Sequence, residues 1–543
     1  MSLLLAVDVG TRAARAGLFD AAGTLVATAS AGFELLRPEE GHAVYVMDEI
    51  WRAVGEAVRA CVRHLPVGRH ALAGIAFDAT SSLVLNHTGR RPLAGDADVF
   101  CWMDHRGEPE AERITATGDQ MLRYMGGSFS PEMHLPKLLW LREHQPNGWM
   151  RVTGVRDLCD ELARRATGEP HHSLCGIACK WPYLPGEREP WRRDLLERLG
   201  LGGLPALGSL GEAPRMVGAL HGVLTEVAAA DFGVSAGIPV AVGLIDAEAG
   251  MLGTLGCSFA SRIERTVAVI GGTSTCIMAF ADQERIIPGV WGPFKDAVIP
   301  GLWLHEAGQS SSGAALDAVL TSHPAGPHRT SAELHARVAR EIEAILNSDG
   351  PIFAAHRHVV PDWLGNRSPL GDGRVRALLS GVGTEETYRS FLETYYAVAR
   401  GLVLQVRQII EHMNGFGYRI ARLLLSGGQL RNSLLVRLYR DATSVELATA
   451  RAAEPVLLGT AMLAAVAGGA YRDIPEALDA MSMPQDELPA DPAWAGTHER
   501  AYRAYLALFV ARNAVARTTI GMDPAPGPPS GRRRQAGYRR RDA

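Results

Sequence analysis

The fold is decided by the stretch Leu3-Leu4-Leu5-Ala6-Val7-Asp8-Val9-Gly10-Thr11, which a second apolar run, Ala16-Gly17-Leu18-Phe19-Asp20, soon follows. The two runs predict the strands of a hairpin, and the turn between them suits an anion. Glycine lets backbone N–H groups converge on a ligand, and Thr11 adds a hydroxyl donor. Asp8 is the residue type that holds Mg²⁺ beside a phosphate.

The same pattern returns in the second half, as Val267-Ala268-Val269-Ile270-Gly271-Gly272-Thr273-Ser274-Thr275 followed by Ile277-Met278-Ala279-Phe280. One such turn, taken alone, is most often an ordinary hairpin. Two of them, each at the start of a long half-chain, indicate a duplicated fold that clamps a nucleotide. Strands alternate with helical patterns, such as Glu49–Leu65 and Glu385–Asn414, so we expect α/β domains with helix-covered sheets.

Length and composition bound the class of protein. A chain of 543 residues, 47% apolar and 21% charged, is too long for one core, so two large domains are expected. The first apolar run is too short for a signal peptide, and the longest apolar stretch, residues 455–470, falls short of a membrane span. We therefore expect a cytoplasmic protein that does not engage a membrane.

Cysteine and lysine usage gives two further indications. Seven cysteines without a CxxC pair argue against a disulfide framework or a zinc site. Cys175 and Cys179 would share a helix face, but buried thiols are the favoured interpretation. Only Lys137, Lys180 and Lys295 stand against 52 arginines, so a retained lysine can mark a place that needs a compact ammonium group. We apply this argument to Lys180.

The chain ends in a segment rich in proline and arginine. Six arginines lie among the last fourteen residues, so the body is more acidic than the formal net charge of −4 suggests. Such a body is not typical of a nucleic-acid-binding protein, and no nucleic-acid partner is expected. Residues 516–543 are predicted to be a disordered tail, and a solvated tail without a role is favoured over contact with an acidic surface.

A phosphoryl-transfer enzyme needs phosphate cradles, a metal-holding carboxylate and a base for the acceptor hydroxyl. The chain has no GxxxxGK[ST] motif and no GxGxxG after the first strand, which excludes a P-loop and disfavours a Rossmann dinucleotide site. Asp246 follows the apolar strand 239–244, where α/β sheets expose reactive side chains, and is the candidate base. Its alternative role is the N-cap of the next helix. Ser426-Gly427-Gly428-Gln429, with Asn432 beyond it, predicts a strand-to-helix turn open to a flat ring or a phosphate.

Several motifs occur together along the chain: residues 8–20, 102–106, 130–140, 179–181, 244–247, 271–275, 290–293, 308–310, 365–369 and 426–428. In this order they resemble the FGGY carbohydrate kinases of the sugar kinase/Hsp70/actin superfamily, and most of all the pentulose kinases typified by D-ribulokinase. The resemblance implies an α/β fold of two actin-like (ribonuclease H-like) domains with a cleft between them. The first, over 1–258, would bind the sugar and carry insertions, and the second, over 259–515, would bind the nucleotide.

The resemblance also implies roles for matching residues, with ATP and Mg²⁺ as cofactors and a small sugar as substrate. Asp8 would hold the metal together with Asp246, which would also be the catalytic base. Near the nucleotide and its phosphates would lie Gly10, Thr11, Arg15, Gly271, Gly272, Thr273, Gly313, Gly427, Gly428 and Asn432. Contacts to the sugar would come from Asp78, Thr80, Asp104, Lys180, Asp246 and Glu306. Trp102 could equally belong to the core.

The chain departs from the pentulose kinase pattern at three places. Glu248 stands where His is usual, Arg12-Ala13 where smaller residues are usual, and His305-Glu306-Ala307-Gly308 where Asn-Glu-Gly-Gly is usual. Glu248 adds a negative charge beside Asp246, which can raise the pKa of the base or change which hydroxyl is read. These departures bear on the substrate more than on catalysis.

The expected reaction is the ATP-dependent phosphorylation of D-ribulose to D-ribulose 5-phosphate, with L-ribulose, D-xylulose or ribitol as alternative substrates. Two other classes of protein stay open: a catalytically silent sugar- or nucleotide-binding regulator, and an Hsp70-like or actin-like assembly protein. The presence of Asp8 and Asp246 speaks against the first, and the insertions over 98–190 speak against the second. Dimerisation is common in the family, so the resemblance suggests a homodimer.

Overall fold

The computed structural model describes residues 3–63, 72–256 and 259–520, and two large mixed sheets organise them. The first sheet has the order β3-β2-β1-β5-β10-β9, with β11 also paired to β5. The strands of this half are β1 (Leu3–Val9), β2 (Ala13–Phe19), β3 (Leu25–Gly32), β4 (Val44–Tyr45), β5 (Leu72–Ala79), β6 (Leu83–His87), β7 (Val99–Phe100), β8 (Val152–Asp157), β9 (Leu220–Val223), β10 (Pro239–Ala241) and β11 (Leu244–Ile245). Strands β4, β7, β6 and β8 form a separate small sheet in this half, and β7 and β8 belong to the inserted region 98–190.

Helices connect and cover these strands. The helices of the first half are α1 (Met47–Val62), α2 (Glu108–Ala116), α3 (His134–His144), α4 (Pro146–Trp149), α5 (Leu158–Thr167), α6 (Leu174–Lys180), α7 (Arg193–Arg198), α8 (Glu226–Phe232) and α9 (Asp246–Thr254). Helix α1 shows why the pattern is helical: its buried residues, among them Ile50, Val54, Val58 and Cys61, recur at helical spacing and face the first sheet.

The second sheet has the order β14-β15-β13-β12-β18-β19-β20. Its half of the chain contains β12 (Thr266–Gly271), β13 (Thr275–Ala281), β14 (Trp291–Lys295), β15 (Trp303–Gln309), β16 (His358–Val360), β17 (Leu378–Ser380), β18 (Arg422–Gly427), β19 (Glu446–Ala450) and β20 (Gln485–Leu488). Its helices are α10 (Gly313–Ser322), α11 (Ala332–Asp349), α12 (Tyr388–Gly415), α13 (Ser433–Ala442), α14 (Pro455–Ala467), α15 (Ile474–Met481) and α16 (Pro492–Ile520).

The two sheets repeat one plan. In the first, the antiparallel run β3-β2-β1 is followed by the parallel strands β5 and β10; in the second, β15-β13-β12 is followed by the parallel strands β18 and β19. Each sheet therefore begins with a hairpin at the glycine turn singled out in the sequence. The prediction of a duplicated α/β fold is confirmed.

The two halves meet where helices α9 and α14 cross. A β-carbon on Gly253 would overlap the carbonyl oxygen of Pro455, and one on Gly459 would overlap the carbonyl oxygen of Ala249. Glycine thus lets the two backbones touch. Helix α14 also packs on β1 and β5 of the first sheet, where Gly74 leaves no room for a side chain beside Ala464. The two halves of the sequence are therefore not two separately packed units, because α14 comes from the second half of the chain and covers the first sheet.

Two element boundaries differ from the sequence expectations. Helix α1 begins at Met47, and residues 64 and 65 of the expected helix lie outside the described residues. The last helix runs to Ile520, so the first five residues of the expected tail, 516–520, are helical, and 521–543 lie outside the described residues. The domain limits 1–258 and 259–515 stay a prediction. Among the described helices, none combines the length and apolar character needed to cross a bilayer.

The close crossing of α9 and α14 gives a stability prediction. Gly459→Ala inserts a methyl group between backbones that cannot separate without disturbing both sheets, so we expect a loss of about 1–3 kcal/mol in the free energy of unfolding. Urea denaturation of the purified chain measures it. Gly415→Ala is the matched control, because Gly415 is also helical and its β-position has no atom within 4 Å. Equal losses in the two variants would contradict the close crossing.

Candidate active site

Three aspartates lie at the ends of neighbouring strands in the first sheet. Asp8 in β1 stands opposite Asp78 in β5, and Leu244 in β11 stands opposite Asp78 on its other side, so Asp246 follows directly. Because these strands are parallel, their carboxyl ends share one edge of the sheet, and the three carboxyl groups converge there. The structure thus brings together the predicted metal ligand, the predicted base and one predicted sugar contact.

Arg15 is the cation nearest to this group. It stands opposite Asp8 across the first hairpin, and its Nε donates to Asp8 Oδ2 at 2.7 Å. Its Nη1 donates to Glu454 Oε2 at 2.8 Å, just before helix α14 begins. Asp8 is almost fully buried, whereas the Arg15 side chain is 39% exposed. Arg15 therefore neutralises the metal-ligand candidate and also ties the first turn to the second half of the chain.

Asp78 is fully buried between Asp8 and helix α14. Its Oδ2 accepts a hydrogen bond from the Thr460 hydroxyl, and its Oδ1 has no hydrogen-bond partner among the described residues. Burial, and then the negative charge of Asp8, raise the pKa of Asp78 well above its ordinary value. The carboxyl group therefore faces the other aspartates, and this environment gives no specific support for the predicted sugar contact.

Asp246 is partly buried and is the first residue of helix α9. The N-cap is Ile245, so the alternative N-cap role does not apply, although the backbone N–H of Ala247 donates to Asp246 Oδ1 at 2.8 Å. Burial, and then the charge of Asp8, raise the pKa of Asp246 to about 7. A carboxylate with a pKa near neutrality is a suitable general base.

A second charged group joins the two halves of the molecule. Lys180, at the end of α6, lies 3.9 Å from Glu306 of β15, and its Nζ is 4.8 Å from the centre of the Trp291 ring. Arg367 pairs with Glu306 and stacks over the same ring at 4.0 Å. Burial opposes the charged form of Glu306, but Lys180 and Arg367 outweigh it and hold its pKa below the ordinary value. Lys180 and Glu306, predicted separately, are therefore partners.

Glu248 lies one residue beyond Ala247 on helix α9 and is 1% exposed. Both of its carboxylate oxygens lack a hydrogen-bond partner among the described residues. Burial, and then the charge of Glu306, raise its pKa to about 8, against the opposing effect of Lys180. Glu248, where the chain departs from the pentulose kinase pattern, thus places a buried acidic side chain close enough to Lys180 and Glu306 to interact with their charges.

The second glycine turn is built from backbone groups of three segments. Gly313 N–H donates to Gly272 O at 3.1 Å, and Ser312 N–H donates to Thr273 O at 2.9 Å, so the start of α10 is fixed against the turn. Gly427 stands beside Gly271 across β12 and β18, with φ of 83°, a conformation that favours glycine. Gly272 and Thr273 remain exposed. The residues predicted to contact the nucleotide phosphates in this half therefore lie around one exposed turn, and Gly428 follows directly after Gly427.

The first turn is held by the side chains of Tyr45 in β4 and Trp102 in the inserted region. Gly10 N–H donates to Ala13 O at 3.1 Å, which closes the turn. Trp102 Nε1 donates to the Thr11 hydroxyl at 3.1 Å, and the Tyr45 hydroxyl donates to the Thr11 carbonyl oxygen at 2.9 Å. Trp102, for which a core role was an equal alternative, packs against the core of the first half and also positions the threonine of the turn.

Three predicted residues lie in environments of their own. Asp104 is fully buried, and its oxygens accept from Arg106 at 2.7 and 2.8 Å and from the backbone of Ala43, which gives no support for the predicted sugar contact. Asn432 caps helix α13, accepts from Leu435 N–H and donates to the Tyr395 hydroxyl at 3.1 Å. Thr80 is buried and paired with Ser82 at 2.9 Å. Their contacts to sugar or nucleotide stay predictions.

Four residues of the site had no predicted role: Glu454, Thr460, Arg367 and Trp291. Arg367 and Trp291 lie in motifs quoted from the sequence, so the sequence marked these residues, but it did not predict that they contact Glu306 and Lys180. Glu454 and Thr460 carried none, since their partners lie in the first half of the chain.

Comparison with known proteins agrees with this geometry. Residues 3–253 match the N-terminal domain of the FGGY family of carbohydrate kinases, and residues 267–468 match its C-terminal domain. The chain belongs to the FGGY family. It is therefore a sugar kinase, a phosphotransferase, and the family implies ATP as the phosphoryl donor.

Individual relatives extend the FGGY match along the chain. A zebrafish (Danio rerio) FGGY carbohydrate kinase domain-containing protein is 35% identical over 539 residues, covering 93% of this chain and 96% of that protein. D-ribulokinase of Saccharomyces cerevisiae is 32% identical over 513 residues, covering 85% and 71%. The crystal structure of ligand-bound xylulose kinase from Lactobacillus acidophilus has a TM-score of 0.77 at 19% identity, covering 95% and 99%. The last likeness shows the fold, and the predicted actin-like two-domain architecture is confirmed.

The Thr460–Asp78 contact gives a second stability prediction. Thr460→Val keeps the shape of the side chain but leaves both oxygens of a buried carboxyl group without a donor, so we expect the free energy of unfolding to fall by about 1–3 kcal/mol. Thr460→Ser keeps the hydroxyl and is the matched control, with a smaller loss. Urea denaturation distinguishes them. If the valine variant were as stable as the serine variant, the hydrogen bond would contribute nothing.

Proposed function

We propose that the protein is an ATP-dependent pentulose kinase that converts D-ribulose to D-ribulose 5-phosphate. The observation that carries the proposal is the position of Asp246. It follows β11 beside Asp8 and Asp78, and one turn later the same helix places Gly250 against Ile270, the residue before the second glycine turn. A base at the first residue of a short helix, with a phosphate turn packed beside that helix one turn later, suits phosphoryl transfer between the two.

Asp8 and Asp246 are the proposed Mg²⁺ ligands. Their oxygen donors suit this ion, and the surrounding charge favours it: Asp78 Oδ1 has no partner, and its pKa is raised by burial and by Asp8. When bound, Mg²⁺ neutralises charge that develops on the transferring phosphate. Arg15, already paired with Asp8, would face the same phosphate from the first turn.

The glycine turns are the proposed phosphate cradles for ATP. At Gly313 a β-carbon would lie 2.6 Å from Gly272 O, and at Gly427 one would lie 3.1 Å from Gly271 N, so only backbone fits there. The Gly272 N–H closes the turn by donating to Ser274 O at 2.8 Å, so the N–H of the exposed Thr273 would be the group that donates to a phosphate oxygen. The Thr11 turn would contact the phosphates from the first domain, and the nucleoside would lie mainly on the second.

Asp246 would take the proton from the attacking sugar hydroxyl as that oxygen bonds to phosphorus. Lys180 would donate a hydrogen bond to one sugar hydroxyl group, and Glu306 would accept one from another. Their pairing restricts the movement of both side chains, which favours a fixed position for the sugar. Lys180 stands on the first half and Glu306 on the second, so closure of the cleft would complete the sugar site and exclude water.

The choice of D-ribulose rests on the relatives. D-ribulokinase of Saccharomyces cerevisiae shares 32% identity over 85% of this chain. Glu248, which replaces the usual His beside the base, is the local reason to compare D-ribulose with L-ribulose, D-xylulose and ribitol. The cytoplasmic location and the homodimer stay predictions.

A coupled ADP-release assay with these four substrates tests the proposal. We expect D-ribulose to give the highest kcat/KM, and Asp246→Asn to lower kcat by about 10²- to 10⁴-fold, because the general base is lost. Asp479→Asn, an exposed residue of α15, is the matched control and should leave kcat unchanged. Turnover with none of the sugars or polyols would refute the kinase assignment for this chain, and undiminished kcat in Asp246→Asn would refute the base.

The pKa of Asp246 predicts a pH dependence. Only the ionised carboxylate accepts a proton, and burial together with Asp8 raises its pKa to about 7. The kcat/KM for the sugar should therefore be constant at alkaline pH and fall about tenfold per pH unit below the pKa. Initial rates across the acid range, with the control Asp479→Asn measured in parallel, give the profile. A rate that does not change across this range would contradict Asp246 as the titrating base.

A further inference from the structure

Two cysteines and a glutamate meet beneath the proposed sugar site. Cys175 and Cys179 are four residues apart on helix α6, so they lie on one face of it. Glu248 of helix α9 approaches that face. The two sulfur atoms and a Glu248 carboxylate oxygen all lie within 4.8 Å of one another, and all three residues are buried. This trio is separate from the carboxyl groups of Asp8, Asp78 and Asp246.

Glu248 needs a partner that the described chain does not supply. It is 1% exposed, and neither of its carboxylate oxygens has a hydrogen-bond partner among the described residues. Buried carboxyl groups are ordinarily hydrogen-bonded, ion-paired or bound to a metal. The neighbouring Glu306 has such partners, since Arg367 contacts it directly and Lys180 lies 3.9 Å away. The polar atoms of Glu248 instead lie next to two thiols.

The charges nearby are compatible with a divalent ion at this point. Two thiolates cancel the charge of one divalent ion, so adding the ion with ionised Cys175 and Cys179 leaves the net charge unchanged. The carboxylates of Glu248 and Glu306 would then be balanced by Lys180 and Arg367. No uncompensated charge would be buried in this arrangement.

We propose that Cys175, Cys179 and Glu248 form a binding site for a thiophilic divalent ion of the zinc class. Two sulfur ligands select against Mg²⁺ and Ca²⁺, and two thiolates with one carboxylate suit tetrahedral Zn²⁺, with the fourth position open to water. Binding forms two metal–sulfur bonds and one metal–oxygen bond, and the protons of the two thiols and of the Glu248 carboxyl group pass to solvent. The site has no CxxC signature in the sequence, because the two cysteines are spaced four residues apart on one helix and the third ligand comes from another helix.

The ion would join two helices that carry parts of the proposed sugar site. Lys180 directly follows Cys179 on α6, and Asp246 lies two residues before Glu248 on α9. A metal bond between these helices would fix the lysine relative to the base. The site itself rests on the three side chains and not on the proposed substrate, so the two proposals are tested separately.

Metal analysis of the purified full-length protein, after dialysis against metal-free buffer, is the first test. We expect about one zinc ion per chain, and its loss in the double variant Cys175→Ser/Cys179→Ser. Cys61→Ser is the matched control: Cys61 is equally buried, on α1 in another core, and its replacement should leave the zinc content unchanged. Wild-type protein with no more zinc than the double variant, even after incubation with zinc, would overturn the proposal.

Cobalt exchange keeps the test decisive if the double variant does not fold. Co²⁺ added to metal-free wild-type protein should give the intense near-ultraviolet absorption of cobalt–thiolate bonds, and Cys61→Ser should give the same spectrum. Glu248→Gln, which keeps both thiols, should bind Co²⁺ more weakly by about tenfold or more. Absence of the cobalt–thiolate absorption in the wild-type protein would overturn the site, whereas ADP release measured on the same sample reports on the kinase proposal alone.

Discussion

The whole arrangement depends on how closely helices α9 and α14 cross. Gly253 and Gly459 leave no room for a side chain between them, so backbone lies on backbone. Helix α9 begins at the strand ends of the first sheet and packs on β12 and β18 of the second, while α14 packs on the first sheet and brings Thr460 to Asp78. One helix pair therefore sets the distance between the carboxyl groups and the second glycine turn, and a small change in its spacing would move both.

Crowded negative charge is the second constraint on the site. Asp8 and Glu306 are paired with arginines, but Asp78, Asp246 and Glu248 keep raised pKa values. Such a group of carboxyl groups costs stability in the free protein, and that cost is relieved when protons or cations bind. The repulsion among these carboxyl groups thus lowers the stability of the fold, but it also gives a base that titrates near neutrality and favours the binding of metal ions. Such a compromise is common at functional sites.

The sequence predicted those features whose signals are local. The turn at Gly10, the turn at Gly271 and the position of Asp246 at a strand end follow from the order of apolar residues, glycines and a single carboxylate, and the two sheets have the expected repeat. Partners distant along the chain were not predictable, because Thr460 reaches Asp78 across 382 residues. The environment of Asp104 was not predictable either, since the carboxylate of a loop can face a cleft or an arginine, and only the folded insertion decides which.

Arg15 has a consequence for how sequences of this kind vary. Its guanidinium joins Asp8, seven residues away, to Glu454, 439 residues away. A change at any one of the three positions leaves a charge of the other two unbalanced, so substitutions there are tolerated best in combination. Among related chains, position 454 is therefore expected to change in step with position 15, a statistical link between the first hairpin and the start of α14 that mirrors their physical contact.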